Sequence, residues 1–200
     1  MKKLPALVLA LALTVSSASA IEFKDFKDKD EIQYPEAVAV LNRLGIIIGL
    51  EDEHFHPDWP LSRGAAAKII VSLLLGSDAA GAMSNGDSPY PDVPSGYTFA
   101  GVINHCKTSG LIDGYADGSF QPKGALTGYA FAKMLLGVLD YDNTREGFSG
   151  EGWTLNVARA AHSAGLLEGL DFQGSEPINR ETACQMVYNT LKANMMSYDS

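Results

Sequence analysis

Gly45-Ile46-Ile47-Ile48-Gly49, Gly110-Leu111-Ile112-Asp113-Gly114 and Gly165-Leu166-Leu167-Glu168-Gly169 are three versions of one glycine-flanked apolar box. Downstream of them, Leu61-Ser62-Arg63, Leu126-Thr127-Gly128 and Ile178-Asn179-Arg180 recur in step. A small repeated unit cannot bury its apolar faces alone, so the copies share one core. The functional question shifts accordingly, from a single reactive residue to the surface that three copies build together.

Each box stands between two helical patterns. In the first copy Ala37, Val40, Leu41 and Leu44 form an apolar stripe that ends at Gly45, and glycine just past the last periodic residue stops a helix. Gly110 and Gly165 occupy the corresponding points. The loop after the box carries Asp52, Phe55 and Pro57 in the first copy and Asp117, Phe120 and Pro122 in the second. The third loop is shorter and lacks this Asp-Phe-Pro spacing.

The helix that follows is the clearest element. Ala66, Ile69, Ile70, Leu73 and Leu74 match Phe131, Met134, Leu135, Val138 and Leu139, and then Ala183, Met186, Val187, Thr190 and Leu191. That spacing predicts an amphipathic helix in every copy. Ser62, Thr127 and Asn179 precede these helices with side-chain oxygens that cap free N–H groups. The expected fold is all-α: three helix-loop-helix units, at residues 21–76, 90–140 and 153–195, in one pseudo-threefold helical bundle. Residues 76–91 and 140–152, rich in glycine and polar residues, read as linkers.

Residues 1–20 read as a leader and not as part of the fold. Lys2 and Lys3 precede an apolar run at 4–15, and Ala18-Ser19-Ala20 is a small-residue cleavage site, the layout of a secretory signal peptide. The run is shorter than the roughly 20 apolar residues of a membrane span. Removing Lys2 and Lys3 leaves 13 basic against 24 acidic groups, a net charge of −11. Such a chain repels nucleic acid, whose binding rests on clustered Lys and Arg. Cys106 and Cys184 fall where the first copy has Leu41 and Ala67, so both read as small core residues; export leaves a disulfide between them as the alternative.

The repeats resemble the S-layer homology domains of bacterial surface proteins. The resemblance rests on Tyr90-Pro91-Asp92-Val93, the Gly110–Gly114 box and Asp117-Gly118-Ser119-Phe120-Gln121-Pro122 in the second copy. The first copy contributes Phe26-Lys27-Asp28, the Gly45–Gly49 box and Phe55-His56-Pro57. It spans about residues 23–195 and implies a trimeric bundle that anchors exported proteins non-covalently to the cell wall. The implied partner is a secondary cell-wall polysaccharide, often carrying a pyruvylated sugar, held in grooves between repeats.

The glycan-binding set this implies is Arg63 and Arg180 at the helix starts, with the caps Ser62, Thr127 and Asn179 and the box glycines Gly49, Gly114 and Gly169. Free N–H donors at a helix start and a forked guanidinium both suit a carboxylate. The helix-start tetrad departs from the family pattern throughout: Ser62-Arg63-Gly64-Ala65, Thr127-Gly128-Tyr129-Ala130 and Asn179-Arg180-Glu181-Thr182. The second copy has lost the arginine, so its groove is expected to bind weakly or to serve packing. No copy keeps the glutamate of a capping box; Glu181 lies one position early, where it favours the positive helix end.

Other constellations read as structure. Glu53-His54-Phe55-His56-Pro57-Asp58 crowds imidazoles and carboxylates that suit zinc, yet the repeat sets His54 opposite Ser119 and His56 opposite Gln121, as variable loop positions. No metal site and no cofactor are expected. Asp113 to Gly118 lacks the middle and closing ligands of a calcium loop and reads as a turn. Tyr129, Trp153, Trp59 and Tyr97 either stack on sugar rings or cover the edge of the core. With no nucleophile elbow, zinc-protease helix or phosphate loop, no catalytic residues are expected. Anchoring to wall glycan is the leading function. Self-association or protein docking without glycan, and service as the N-terminal anchor of a longer secreted enzyme, remain open beside it.

Overall fold

The computed structural model describes residues 21–83 and 85–198; the leader read at residues 1–20 lies outside them. Among the described residues, two 3₁₀ turns, Phe23–Asp25 and Lys29–Glu31, lead into seven helices. These are α1 (Pro35–Arg43), α2 (Arg63–Leu75), α3 (Ser77–Ala82), α4 (Ala100–Thr108), α5 (Gly128–Val138), α6 (Trp153–Ser163) and α7 (Arg180–Lys192). No strand forms among the described residues; only isolated bridges join the segments before α2, α5 and α7.

Those bridges close a ring. The Leu61 N–H donates to the Ile178 carbonyl (2.8 Å), Ile178 to Leu126 (2.9 Å), and Leu126 back to Leu61 (3.1 Å). All three side chains are buried. The helices interlock in the same sense. Each outer helix packs on the inner helix of the preceding unit: α4 on α2, α6 on α5, and α1 on α7 across the ring. No unit is therefore closed on its own, which gives physical content to the shared core.

Local chemistry explains the element ends. Gly45, Gly110 and Gly165 follow the outer helices with φ of 68°, 70° and 78°, the left-handed stop expected of them. Ser62, Thr127 and Asn179 accept from the backbone N–H of Ala65, Ala130 and Thr182 at 3.2, 3.3 and 2.9 Å. The caps sit where the sequence places them.

The structure corrects three expectations of burial and length. The inner helix α2 is buried around most of its circumference, Ala67 and Val71 included, because α3, α4 and α5 cover different faces of it. The outer helix α1 is more one-sided than α2: its buried stripe runs through Ala37, Val38 and Leu41, with Val40 only half-buried. The linker at 76–91 holds a helix, α3, which docks Ala80 against the core. Met83, just beyond it, lies so close to Gly101 that a Cβ there would strike its carbonyl.

Cys106 and Cys184 are both buried and unpaired, and desolvation pushes each thiol up to about 12. They are core residues, as their positions in the repeat require.

Candidate functional site

Three junctions surround the ring, each formed by an inner-helix start and the loop of the following unit. Their backbone bonding is shared. Arg63 and Gly64 donate N–H bonds to the carbonyls of Gly124 and Pro122, at 3.0 and 2.9 Å. Gly128 and Tyr129 donate to Glu176 and Gly174, at 3.0 and 2.8 Å. Arg180 and Glu181 donate to Trp59 and Pro57, at 2.9 and 3.1 Å.

This overturns the expectation of free donors at the helix starts. The first two helical N–H groups are consumed by the neighbouring loop and the third by the side-chain cap, so these donors are not available to an anion. Ser62, Thr127 and Asn179 are thereby structural caps, engaged in holding helices. What remains available is the guanidinium.

Arg63 donates from Nε to the Phe120 carbonyl (2.8 Å) and from Nη2 to the Asp113 carbonyl (2.9 Å). Its planar head lies 4.6 Å from the Phe120 ring centroid and 4.8 Å from that of Tyr115. Arg180 repeats the scheme, with Nε on the Phe55 carbonyl (2.8 Å), Nη2 reaching Ile48 (3.4 Å) and the Phe55 ring at 4.9 Å. Aspartates of the opening motif brace both loops. Asp28 accepts from the N–H groups of Phe55 and His56, and Asp92 from those of Phe120 and Gln121.

Neither arginine has a carboxylate partner among the described residues. Both heads are partly buried, and desolvation holds each guanidinium below its ordinary value, though still charged at neutral pH. Taking a cation out of water without an anion is unfavourable, and a bound anion would offset that cost. In each case Nη1 also has no hydrogen-bond partner among the described residues, and it can serve such an anion.

At the Arg63 junction the cation borders a cavity of about 140 Å³, lined in part by Asp113, Phe120, Lys133 and Trp153. The Lys133 ammonium stands 5.9 Å from the Trp153 ring centroid. Lys133 was not singled out from the sequence, although Lys68 occupies its position in the first unit and that repetition was a usable signal. Tyr115, 44% exposed and lying against Arg63, was also missed.

The Gly128 junction is built differently. A Cβ on Gly128 would strike the Phe172 ring, and Gly174 lies equally close under Tyr129. Tyr129 meets Phe172 edge-on at 5.6 Å between centroids. Phe172 is the counterpart of Phe120, counted back from the cap, so the third loop keeps its phenylalanine and loses residues nearer the box. Aromatic packing occupies this junction.

The box glycines divide as well. Gly49 and Gly114 are pressed against the rings of Phe26 and Tyr90, leaving no room for a Cβ, whereas Gly169 adopts a φ of 74° with nothing near its Cβ position. The first two glycines are required by packing and the third by the turn. Glu181 does more than favour its own helix end. It is 5% exposed, and its Oε2 accepts the Gln33 N–H at 2.8 Å, tying the third unit to the entry of α1.

Of the remaining aromatics, Tyr97 packs edge-on against Phe99, while Trp59 is 49% exposed and stacks on His56 with centroids 3.7 Å apart. Asp113 to Gly118 forms a turn in which Asp117 accepts the Ser119 N–H. No helix among the described residues is long and apolar enough to cross a membrane.

Comparison with known proteins gives this arrangement a family context. Residues 22–67 and 89–132 match the S-layer homology domain. The chain is 31% identical to a "Cell surface protein" of Thermoanaerobacter kivui over 99% of its own length and 26% of the relative's. It is 26% identical to a "Surface layer protein" of Brevibacillus choshinensis, over 98% of this chain and 17% of that protein. A "Cellulosome-anchoring protein" of Acetivibrio thermocellus shares 30% identity across 43% of this chain and 19% of its own length. The chain thus spans about a quarter or less of these relatives. The match to the S-layer homology domain covers most of the first two units, and the fold is all-α.

Proposed function

We propose that this is a cell-wall or S-layer associated secreted protein whose repeats attach it to the wall by binding an acidic polysaccharide in the Arg63 and Arg180 grooves. The observation that carries the reading is the pair of partly buried guanidiniums, each lacking a carboxylate partner among the described residues in a chain of net charge −9. A sugar-borne carboxylate, such as a pyruvyl group, supplies the missing anion in forked geometry. Arg63 has the larger share of the binding, with Lys133 as a second cation and Tyr115 and Trp153 as faces for sugar rings. The third unit is a degenerate copy of the same repeat, and its loop fills the Gly128 junction.

Sedimentation with purified wall sacculi, before and after chemical stripping of the secondary polymer, tests this. Binding that disappears on stripping, and that falls at least about tenfold in Arg63→Ala/Arg180→Ala, is expected from losing charge-assisted hydrogen bonds of about 1.5–3 kcal/mol each. Wild-type sedimentation by a folded double variant would refute the residue assignment. Binding that survives stripping would refute the polymer. Oligomers that grow with protein concentration in the absence of wall would favour the assembly role instead.

A further inference from the structure

The loop of the first unit carries donor groups that wall binding does not use. Asp52, His54 and His56 alternate along it, and one ligand atom from each lies within 4.8 Å of the others. His56 Nε2 is 2.7 Å from Asp52 Oδ2, and His54 Nδ1 is 3.8 Å from Asp52 Oδ1. The sequence alone pointed to Glu53 and Asp58 as companions of the histidines. The fold instead turns Glu53 to Lys27, at 2.8 Å, and brings in Asp52.

The convergence is a property of the turn and not of the imidazoles. In the second unit Asp117, Ser119 and Gln121 stand at the same places, and Asp117 Oδ1 lies 2.7 Å from Ser119 Oγ. Both turns are closed by the same bonds, Leu50 N–H to His54 and Tyr115 N–H to Ser119, and His56 and Gln121 share φ of 55° and 57°. One backbone therefore gathers three side chains in each unit, but only the first unit supplies metal-ligand chemistry. A tetrahedral zinc with bonds of about 2.0–2.2 Å spaces its donors roughly 3–4 Å apart, within reach of small rotations of these side chains.

The surroundings hold the imidazoles in place. His56 lies between the Trp59 indole, at 3.7 Å and 14°, and the His54 ring, at 5.3 Å and 22°. His54 Nδ1 also lies 2.9 Å from the Asp52 carbonyl, so this ring takes a metal through Nε2 with that orienting contact kept, or through Nδ1 with it released. The site also adjoins the Arg180 junction, where Phe55, Pro57 and Trp59 of the same loop accept the bonds that fasten α7.

The geometry points to a divalent transition-metal site of the zinc class at Asp52, His54 and His56, with water completing the coordination. Two imidazoles and a carboxylate select such an ion over calcium or magnesium, which require oxygen donors. Because the ion binds the folded loop, it stabilises the closure between the third and first units.

Titration of the purified chain with Zn²⁺ tests this by calorimetry, imidazole NMR and thermal melting. One equivalent is expected, with the His54 and His56 signals shifting while those of His105 and His162 stay in place. At a hundredfold excess over Kd the melting midpoint rises by roughly 5–10 °C, and Ca²⁺ or Mg²⁺ gives no rise. His54→Ser and His56→Gln install the residues that the second unit carries on the same turn, so the fold is retained, and each weakens binding by at least about tenfold. Ser119→His/Gln121→His is expected to take up a second equivalent. Unsaturable binding, equal shifts at all four imidazoles, or full affinity in a folded His54→Ser/His56→Gln variant would overturn the proposal.

Discussion

The Arg63 and Gly128 junctions have the same backbone and opposite contents. At both, two helix-start N–H groups are fastened to the next loop and another to a capping side chain. At Arg63 a phenylalanine ring underlies a cation that borders an open cavity. At Gly128 the equivalent phenylalanine lies where that cation would pass, and Tyr129 packs against it. The difference separates two kinds of constraint. The backbone scheme holds the ring together and recurs three times, whereas the capacity to take a ligand depends on one side chain and was free to diverge.

The largest expected break in that comparison comes from the phenylalanines. Phe120 is fully buried, so Phe120→Ala should cost about 3–5 kcal/mol. Phe172 is half-buried, and Phe172→Ala should cost about 1–2 kcal/mol. Urea midpoints at unchanged m-value measure both. Equal losses would mean that the Gly128 junction is as tightly built as the Arg63 junction.

The caps should sharpen the shared half of the comparison. Ser62→Ala, Thr127→Ala and Asn179→Ala each remove one N-cap bond and should each cost about 1 kcal/mol, alike at all three junctions. A cap that proved neutral in thermal melts would show that its junction does not depend on the common scheme.

The smallest effect is one of pH. Burial holds the Glu181 carboxyl above its ordinary value, so folding favours its protonated form, and its contribution falls as pH rises through the folded value. Glu181→Gln keeps an acceptor for Gln33 and should raise stability at neutral pH, a gain that shrinks as pH falls through the folded value. Asp92 and Asp117 have the opposite sign. Desolvation pushes Asp92 up, but its backbone bonds together outweigh it, and the Ser119 bonds lower Asp117; both carboxyls lie below the ordinary range, so their contributions are present at neutral pH and are lost as pH falls through the folded values. Stability measured against pH in wild type and Glu181→Gln separates the two; parallel curves would remove Glu181 from the account.

Legibility followed the range of the interaction. The helix-stopping glycines, the three caps and the inner-helix spacing are local signals, and each appears where the sequence indicates. Helix α3 was hidden in a Gly-, Ser- and Ala-rich stretch that reads as linker, and its docking on α2 is a tertiary contact. Phe172 was obscured because the shortened third loop breaks the count from the box, while the count from Asn179 is preserved. Of the grooves, Arg63 and Arg180 were legible as helix-start arginines, but Lys133 and Tyr115 reach the Arg63 groove from elsewhere in the chain.

Sequence alone determined that three helical pairs recur, where their helices start and stop, and that the copies differ at Arg63, Gly128 and Arg180. Periodicity, caps and glycine conformations act within a few residues, so they survive in a one-dimensional reading. Only the tertiary structure decided that the first three helical donors are consumed, that two arginines lie partly buried without carboxylate partners among the described residues, and that Asp52 joins His54 and His56. Each of these depends on carbonyls, rings or turns brought together by the closing of the ring. A group's solvation and its partners are properties of that assembled surface.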